Sequence, residues 1–225
     1  MINLKKRGDL IIISGTTCAG KGTVIKKLLE RHNDLLLSIS YTSRPKRDNE
    51  KDGVDYYFVT KEKFEEKIAN NDFLEYAKVQ YNDYYGTPKK EVVEDLEKGK
   101  DVILEIDVEG AKQIKKMFPE TILIFIMAPS MEEVKRRIKM RGKENNEQIV
   151  SRFKKAYNEI NEINNYNYVV VNDDLEEAVS KVEAILTSEK LRVDRIESLS
   201  VSNEEEIIHE FLIDKDFNNE KHDVV

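Results

Sequence analysis

The run Gly15-Thr16-Thr17-Cys18-Ala19-Gly20-Lys21 has the residue types and spacing of a loop that holds a polyphosphate. It follows the apolar, β-branched stretch Leu10-Ile11-Ile12-Ile13. It leads into Gly22 and then Thr23-Val24-Ile25-Lys26-Lys27-Leu28-Leu29, whose apolar residues recur at helical spacing. Strand, glycine-bounded loop and helix in that order give a phosphate two partners. These are the backbone N–H groups of the loop and the positive end of the helix, with Lys21 as the neutralising cation.

Other charged groups suit the same chemistry. Arg44 and Arg47 flank a proline and offer bidentate donors to a second phosphate. Arg137 and Arg141 are one helical turn apart and share a helix face, within a basic stretch that runs on to Arg152. Glu105 and Asp107 close the apolar run Val102-Ile103-Leu104, and strand alternation predicts that both carboxylates lie on one strand face. Two carboxylates at the end of a core strand are costly unless something binds them.

The elements that position these groups follow from the apolar pattern. Runs at 10–13, 102–106, 122–127 and 168–171 predict buried parallel strands. Helical patterns fall near 23–32, 88–98, 109–117, 131–141, 147–163 and 174–187. The alternation predicts an α/β domain with a central parallel sheet and helices on both faces, its ligands lying beyond the carboxyl ends of the strands. Residues 38–87 break the rhythm with short alternating segments such as Tyr56-Tyr57-Phe58-Val59, which predicts a small, partly antiparallel insertion.

Composition bounds the function. The chain has 225 residues, of which 40% are hydrophobic and 36% charged, enough for one large domain with appendages and a well-solvated surface. A net charge of −7 argues against general nucleic-acid binding, while leaving local basic clusters free to take phosphate. The longest apolar runs are too short to span a bilayer, and no membrane partner is expected. Residues 1–7 are basic without the apolar core of a signal peptide, and the single cysteine excludes an internal disulfide, so a cytoplasmic protein is expected. Residues 189–225 hold 11 acidic and 5 basic side chains and form an acidic extension.

Further clusters complete a pattern. Ser38-Ile39-Ser40-Tyr41-Thr42-Ser43-Arg44-Pro45-Lys46-Arg47 is followed by Asp52-Gly53-Val54-Asp55-Tyr56-Tyr57-Phe58-Val59 and Phe73-Leu74-Glu75-Tyr76. Then come Asn82-Asp83-Tyr84-Tyr85-Gly86-Thr87, Leu104-Glu105-Ile106-Asp107-Val108-Glu109-Gly110-Ala111 and Val171-Asn172-Asp173-Asp174. With the phosphate loop, this order and spacing resembles the guanylate kinase family over about residues 9–188.

The resemblance implies a three-layer P-loop kinase fold with a GMP-binding insertion at about 38–87 and a basic helical lid at about 129–155. It implies phosphoryl transfer from ATP to GMP, and to dGMP, with Mg²⁺, by a monomer or homodimer. Gly15 to Thr23 would bind ATP through Gly15, Thr16, Thr17, Cys18, Ala19, Gly20, Lys21, Gly22 and Thr23, with Asn172 near the adenine. Ser40, Arg44, Arg47, Tyr56, Glu75, Tyr85, Thr87 and Asp107 would bind GMP, with Arg44, Arg47, Tyr56 and Tyr85 on its phosphate. Guanine presents a carbonyl acceptor beside N–H and amino donors, so Glu75 and Asp107 suit the donors, and Ser40 and Thr87 suit the carbonyl. Lys21, Arg44, Arg137, Arg141 and Arg152 would gather on the transferring phosphoryl group, the last three brought there by the lid.

The chain departs from the family pattern in places. Gly22 stands where many phosphate loops carry a Mg²⁺-ligating Ser or Thr, so the metal is expected on phosphates and water with Glu105 or Asp107 nearby. Cys18 replaces a usual glycine, at a point where close approach or positive φ favours glycine. Gln80-Tyr81-Asn82-Asp83 is one residue longer than the usual spacing, and Glu109 replaces a commoner glutamine. The extension carries a capping-box pattern at Ser202-Asn203-Glu204-Glu205 and could dock on the core, dimerise or bind a partner. A catalytically inert peptide-binding module of the same family, or a kinase for another small phosphorylated acceptor, are the alternative functions. Retention of Lys21 and the lid arginines argues against the first, and Glu75, Thr87 and Asp107 argue against the second.

Overall fold

The computed structural model describes residues 2–5, 7–79, 82–140, 146–195 and 198–201. Strand β1 (Ile2–Lys5) comes first, followed by β2 (Leu10–Gly15), helix α1 (Lys21–Arg31) and β3 (Leu35–Leu37). Next are β4 (Tyr41–Thr42), β5 (Tyr57–Phe58), α2 (Lys61–Ala69), β6 (Phe73–Lys78) and β7 (Tyr84–Pro88). Then come α3 (Lys89–Glu97), β8 (Asp101–Glu105), α4 (Val108–Met117) and β9 (Ile122–Met127). The remainder is α5 (Met131–Met140), α6 (Asn146–Ile160), β10 (Tyr168–Val171), α7 (Leu175–Lys190) and β11 (Ser198–Val201).

The chain divides into two compact units. Arg7–Ser188 is one, and the other joins the two chain ends, where β1 pairs antiparallel with β11. The capping-box pattern at 202–205 lies outside the described residues. Among the described residues no helix is long and apolar enough to cross a membrane.

Within Arg7–Ser188 the central sheet has the order β10-β9-β2-β8-β3, all parallel, with β2 in the middle. Its strands read as continuous apolar runs because helices cover both faces. On one face Ile11, Ile13, Ile103 and Ile124 pack against Val24 and Leu28 of α1 and Val179 and Val182 of α7. On the other, Ile12, Leu104 and Leu123 pack against Val92 and Leu96 of α3 and Ala111 and Ile114 of α4. Residues that alternate along β2 therefore serve two separate cores, which fixes its register.

A second sheet, β5-β4-β7-β6, forms the insertion, antiparallel except for the β4–β5 pair. Its core is aromatic: Phe64 of α2 stacks on Phe73 at 4.5 Å and on Tyr84 at 5.2 Å. Helix α2 and strand β3 were not anticipated from the sequence pattern. α2 buries only Phe64 among its nine residues, so its periodicity is faint, although Thr60 caps it by accepting the Lys63 N–H at 3.2 Å.

Two expected boundaries move. β8 starts at Asp101, whose carboxylate accepts the Asp9 N–H at 2.9 Å and ties it to β2. α6 ends at Ile160, and an asparagine-rich stretch continues as the short 3₁₀ turn Ile163–Asn165.

Candidate active site

The phosphate loop leaves β2 at the sheet's centre and ends in α1. Gly15 is needed there: its φ is 135°, and an added Cβ would sit 1.8 Å from the Ile126 carbonyl oxygen of β9. Gly20, at φ 86°, is the residue before the first turn of α1 and supplies no side-chain cap. α1 also has no acidic residue in its first turn, whereas α2 and α4 begin with the capping side chains Thr60 and Asp107. The N–H groups of Thr23 and Val24 bond to the Gly20 carbonyl at 3.1 Å, so those of Lys21 and Gly22 are the ones at this helix start that face an anion in the loop. Lys21 Nζ donates to the carbonyl oxygens of Gly15 at 2.9 Å and Thr16 at 3.0 Å. Burial lowers the Lys21 pKa, opposed by the charges of Glu159 and Glu105.

The loop opens on a cleft of about 400 Å³ shared with the insertion, the end of β8 and α6. Thr17, Lys21, Ser40, Arg44, Arg47, Tyr56, Glu75, Tyr85, Glu105, Asp107 and Arg152 all line it. Residues far apart in the chain therefore meet in one place, outside the carboxyl ends of β2 and β8, where Ile13 and Glu105 are register partners.

On the insertion side, Arg44 is held from several directions. Its Nη1 and Nη2 each donate to Glu50 at 2.8 Å, and its Nε donates to Tyr85 Oη at 2.8 Å. The Glu50 hydrogen bonds raise the Arg44 pKa further, and the same bonds draw Glu50 down to about 2. Arg44 also lies over the Tyr56 ring, 5.4 Å from its centre, and burial pushes Tyr56 up to about 12. Arg47 is 67% exposed, with one nitrogen 3.9 Å from Glu50.

Glu75 is 7% exposed and Thr87 fully buried. The Thr87 hydroxyl donates to Glu75 Oε1 at 2.6 Å, so Thr87 lies behind the carboxylate rather than on the cleft wall. Burial raises Glu75 to about 7, the Thr87 hydroxyl acts against it, and the nearby charge of Asp107 adds to it. Glu75 also rests against the first turn of α4, where a Cβ on Gly110 would meet its Oε2 at 2.9 Å.

The expected strand face shared by Glu105 and Asp107 needs correction. β8 ends at Glu105, and Asp107 is instead the N-cap of α4, accepting the Gly110 N–H at 3.1 Å. Both carboxylates nonetheless line the cleft. Burial raises the Glu105 pKa, and Lys21 opposes the rise. Glu105 Oε2 lies 3.5 Å from where a Cβ on Gly22 would be, so the carboxylate lies beside the position at which other phosphate loops carry a hydroxyl.

Several expected site residues lie elsewhere. Arg137 donates to the carbonyl oxygens of Asn172 at 2.9 Å and Ala19 at 3.3 Å, and to Glu133. The Asn172 side chain donates to Ala19 O at 2.7 Å, so Arg137 and Asn172 together brace the back of the loop. Cys18 has φ 60° and packs on Ala128, Val134, Ile138 and Ala156, the small apolar core beneath α5 and α6. Asp174 caps α7 by accepting the Glu177 N–H at 2.8 Å. Arg141 lies outside the described residues, as do residues 80 and 81 of the longer loop.

Sequence reading missed Glu50, Lys155 and Glu159, all of which line the cleft. For the last two a signal existed: Arg152, Lys155 and Glu159 fall at i, i+3 and i+7 and so share one helix face.

With this geometry in view, similarity to known proteins is specific. Residues 7–189 match the family model described as guanylate kinase. The chain belongs to the guanylate kinase family. A guanylate kinase of Clostridium tetani is 55% identical over 209 residues, covering 93% of this chain and 100% of that protein. One from Caldanaerobacter subterraneus subsp. tengcongensis is 52% identical, covering 92% and 100%. The crystal structure of guanylate kinase from Anaplasma phagocytophilum superposes with a TM-score of 0.72 at 36% identity, covering 86% of this chain and 92% of that one. The fold is accordingly the P-loop kinase fold, and the guanylate kinase reaction is the phosphorylation of GMP by ATP.

Proposed function

We propose that this chain transfers the γ-phosphoryl group of ATP to GMP in the cytosol, with dGMP accepted too, and that the cleft divides the work between a donor end and an acceptor end. One observation carries this reading. Lys21 of the phosphate loop, Arg44 of the insertion, the carboxylates Glu75 and Asp107, and Arg152 of α6 all line a single cleft of about 400 Å³. Phosphoryl transfer between two anions needs concentrated positive charge and in-line placement, with little covalent work for the protein.

At the donor end, the segment Gly15 to Thr23 binds the phosphates of ATP through Lys21 and through main-chain N–H groups other than those of Thr16, Thr17, Ala19 and Thr23, which bond within the protein. Arg137 and Asn172 brace the loop from behind, through the Ala19 carbonyl. At the acceptor end, Arg44, Arg47, Tyr56 and Tyr85 bind the GMP phosphate. Tyr85 and Glu50 hold the Arg44 fork in place beforehand, which lowers the entropy cost of binding. Glu75 and Asp107 accept from the N–H and amino groups of guanine, Ser40 donates to its carbonyl, and Thr87 acts through Glu75. Arg152 reaches the transferring group from α6, and Arg141 joins it on lid closure. Residues 38–87 serve as the acceptor-binding insertion and about 129–155 as the lid that excludes water.

Mg²⁺ fits this donor set. Among the described residues no group of three or more His, Cys, Asp or Glu side chains could hold a metal ion. A hard cation that keeps much of its water and binds chiefly through ATP phosphates suits such a site, with Glu105 or Asp107 accepting from its waters. When bound it neutralises charge on the β- and γ-phosphates.

The test is ADP formation from ATP with GMP, dGMP, AMP, CMP and UMP as acceptors. Turnover with GMP and dGMP alone is expected. Equal turnover with AMP, or none with any acceptor, overturns the reading.

A further inference from the structure

Glu159 is an acid where a helix faces the interior, and it is only 4% exposed. A carboxylate so buried is costly unless hydrogen-bonded. Its Oε2 accepts the backbone N–H of Thr17 at 2.7 Å, across 142 residues of chain. Its Oε1 lies 3.8 Å from the Lys155 ammonium. Thr17 directly follows the two residues whose carbonyl oxygens receive Lys21 Nζ. The first half of the phosphate loop is thus gripped twice, by its carbonyls through Lys21 and by its next N–H through Glu159.

The two grips differ in what happens when a donor arrives. A bound phosphate would compete with the Gly15 and Thr16 carbonyls for the Lys21 ammonium. The Glu159 contact comes from α6 and involves a loop N–H already committed to the protein. An acid beside a polyphosphate opposes binding by repulsion, so a benefit must come from the hydrogen bond, not the charge.

We propose that Glu159 is a positioning residue for the donor-phosphate loop: by accepting the Thr17 N–H it holds the loop in its phosphate-binding shape and ties it to the helix that carries Arg152. The proposal rests on the reading of Gly15 to Thr23 as the ATP-phosphate loop.

Steady-state kinetics of the full chain test it, with KM for ATP and for GMP measured separately in Glu159→Ala, Glu159→Gln and Glu159→Asp. The alanine variant leaves the Thr17 N–H without its acceptor, so KM for ATP should rise about tenfold, while KM for GMP stays within about twofold. Glutamine keeps an acceptor at the same reach and should restore KM for ATP to within about threefold of wild type. Aspartate keeps the charge but is one methylene short, and should resemble alanine. An unchanged KM for ATP in Glu159→Ala, an equal rise for both substrates, or rescue by aspartate and not by glutamine would each overturn the proposal. If the alanine variant does not fold, the glutamine–aspartate contrast decides alone. Lys21→Ala serves as the control: wild-type kinetics there would defeat the reading of the loop itself, separately from the role of Glu159.

Discussion

The two ends of the cleft, as proposed, would bind phosphate by different means. The proposed donor end is one contiguous segment that would bind through main-chain groups and one lysine: it has a glycine at φ 135°, an uncapped helix start and Lys21 folded over the loop's own carbonyls. The acceptor end is made of side chains drawn from several places, with Arg44 pinned by Glu50 and Tyr85, and Glu75 pinned by Thr87. A backbone cradle is tolerant of side-chain identity as long as the path of the chain is kept, which is why Cys18 is accepted at φ 60° with its side chain packed under α5 and α6. A side-chain reader has no such slack, because each polar group left unpaired in a buried site is costly.

Substitutions at the two ends should therefore fail differently. Lys21→Ala removes the only side chain that contacts the loop carbonyls Gly15 and Thr16 among the described hydrogen bonds, and kcat/KM should fall by about 10³-fold. That is the largest loss expected, and a drop under about tenfold would mean that the main chain alone suffices.

Glu75→Gln should lower kcat/KM for GMP by roughly 10²-fold, narrow the preference over AMP, and leave KM for ATP unchanged. Competition kinetics with the two acceptors reads both effects. A matching rise in KM for ATP would erase the distinction between the ends.

A third effect is smaller and depends on pH. Burial raises Glu75 to about 7, and in its proposed role as acceptor for the donors of guanine it must be ionised. As pH falls through 7 the free carboxylate takes up a proton, so GMP binding weakens on the acid side. From pH 8 to pH 6 the loss attributable to Glu75 should be about tenfold. The GMP phosphate titrates in the same window, so the slope that survives in Glu75→Gln gives its share and is to be subtracted. A pH profile equally steep in both proteins would assign the whole effect to the phosphate.

Cys18→Gly should matter least. Glycine removes the cost of a left-handed cysteine but also loses its contacts under α5 and α6, and thermal unfolding should show a net change within about 1 kcal/mol, with kcat little altered.

The same contrast explains what the sequence made legible. Four of the five parallel strands and the phosphate loop are local patterns, apolar runs and glycines at fixed spacing, and those strands lie close to where they were expected, at Leu10–Gly15, Asp101–Glu105, Ile122–Met127 and Tyr168–Val171, whereas Leu35–Leu37 was missed. Helix α2 was invisible because one buried phenylalanine sets no period. Asp107 read as a strand residue because alternation continues past Glu105 on paper, whereas the chain turns there and uses the carboxylate as a cap. Thr87 read as a contact for guanine because its type fits, but it stands one layer back. Glu50 could not be found by local pattern, since it is defined by a partner reached through the fold, Arg44; the helix face shared by Arg152, Lys155 and Glu159 is a local pattern, but the Thr17 N–H that Glu159 accepts is not.

As proposed, donor and acceptor are bound by separable chemistries within one cleft. Equilibrium titration of the Glu75→Gln protein with GMP and, separately, with ATP tests it most directly. GMP affinity should fall by about 10²-fold while ATP affinity stays within about twofold of wild type. Equal losses for the two nucleotides, or GMP affinity left intact, would contradict it.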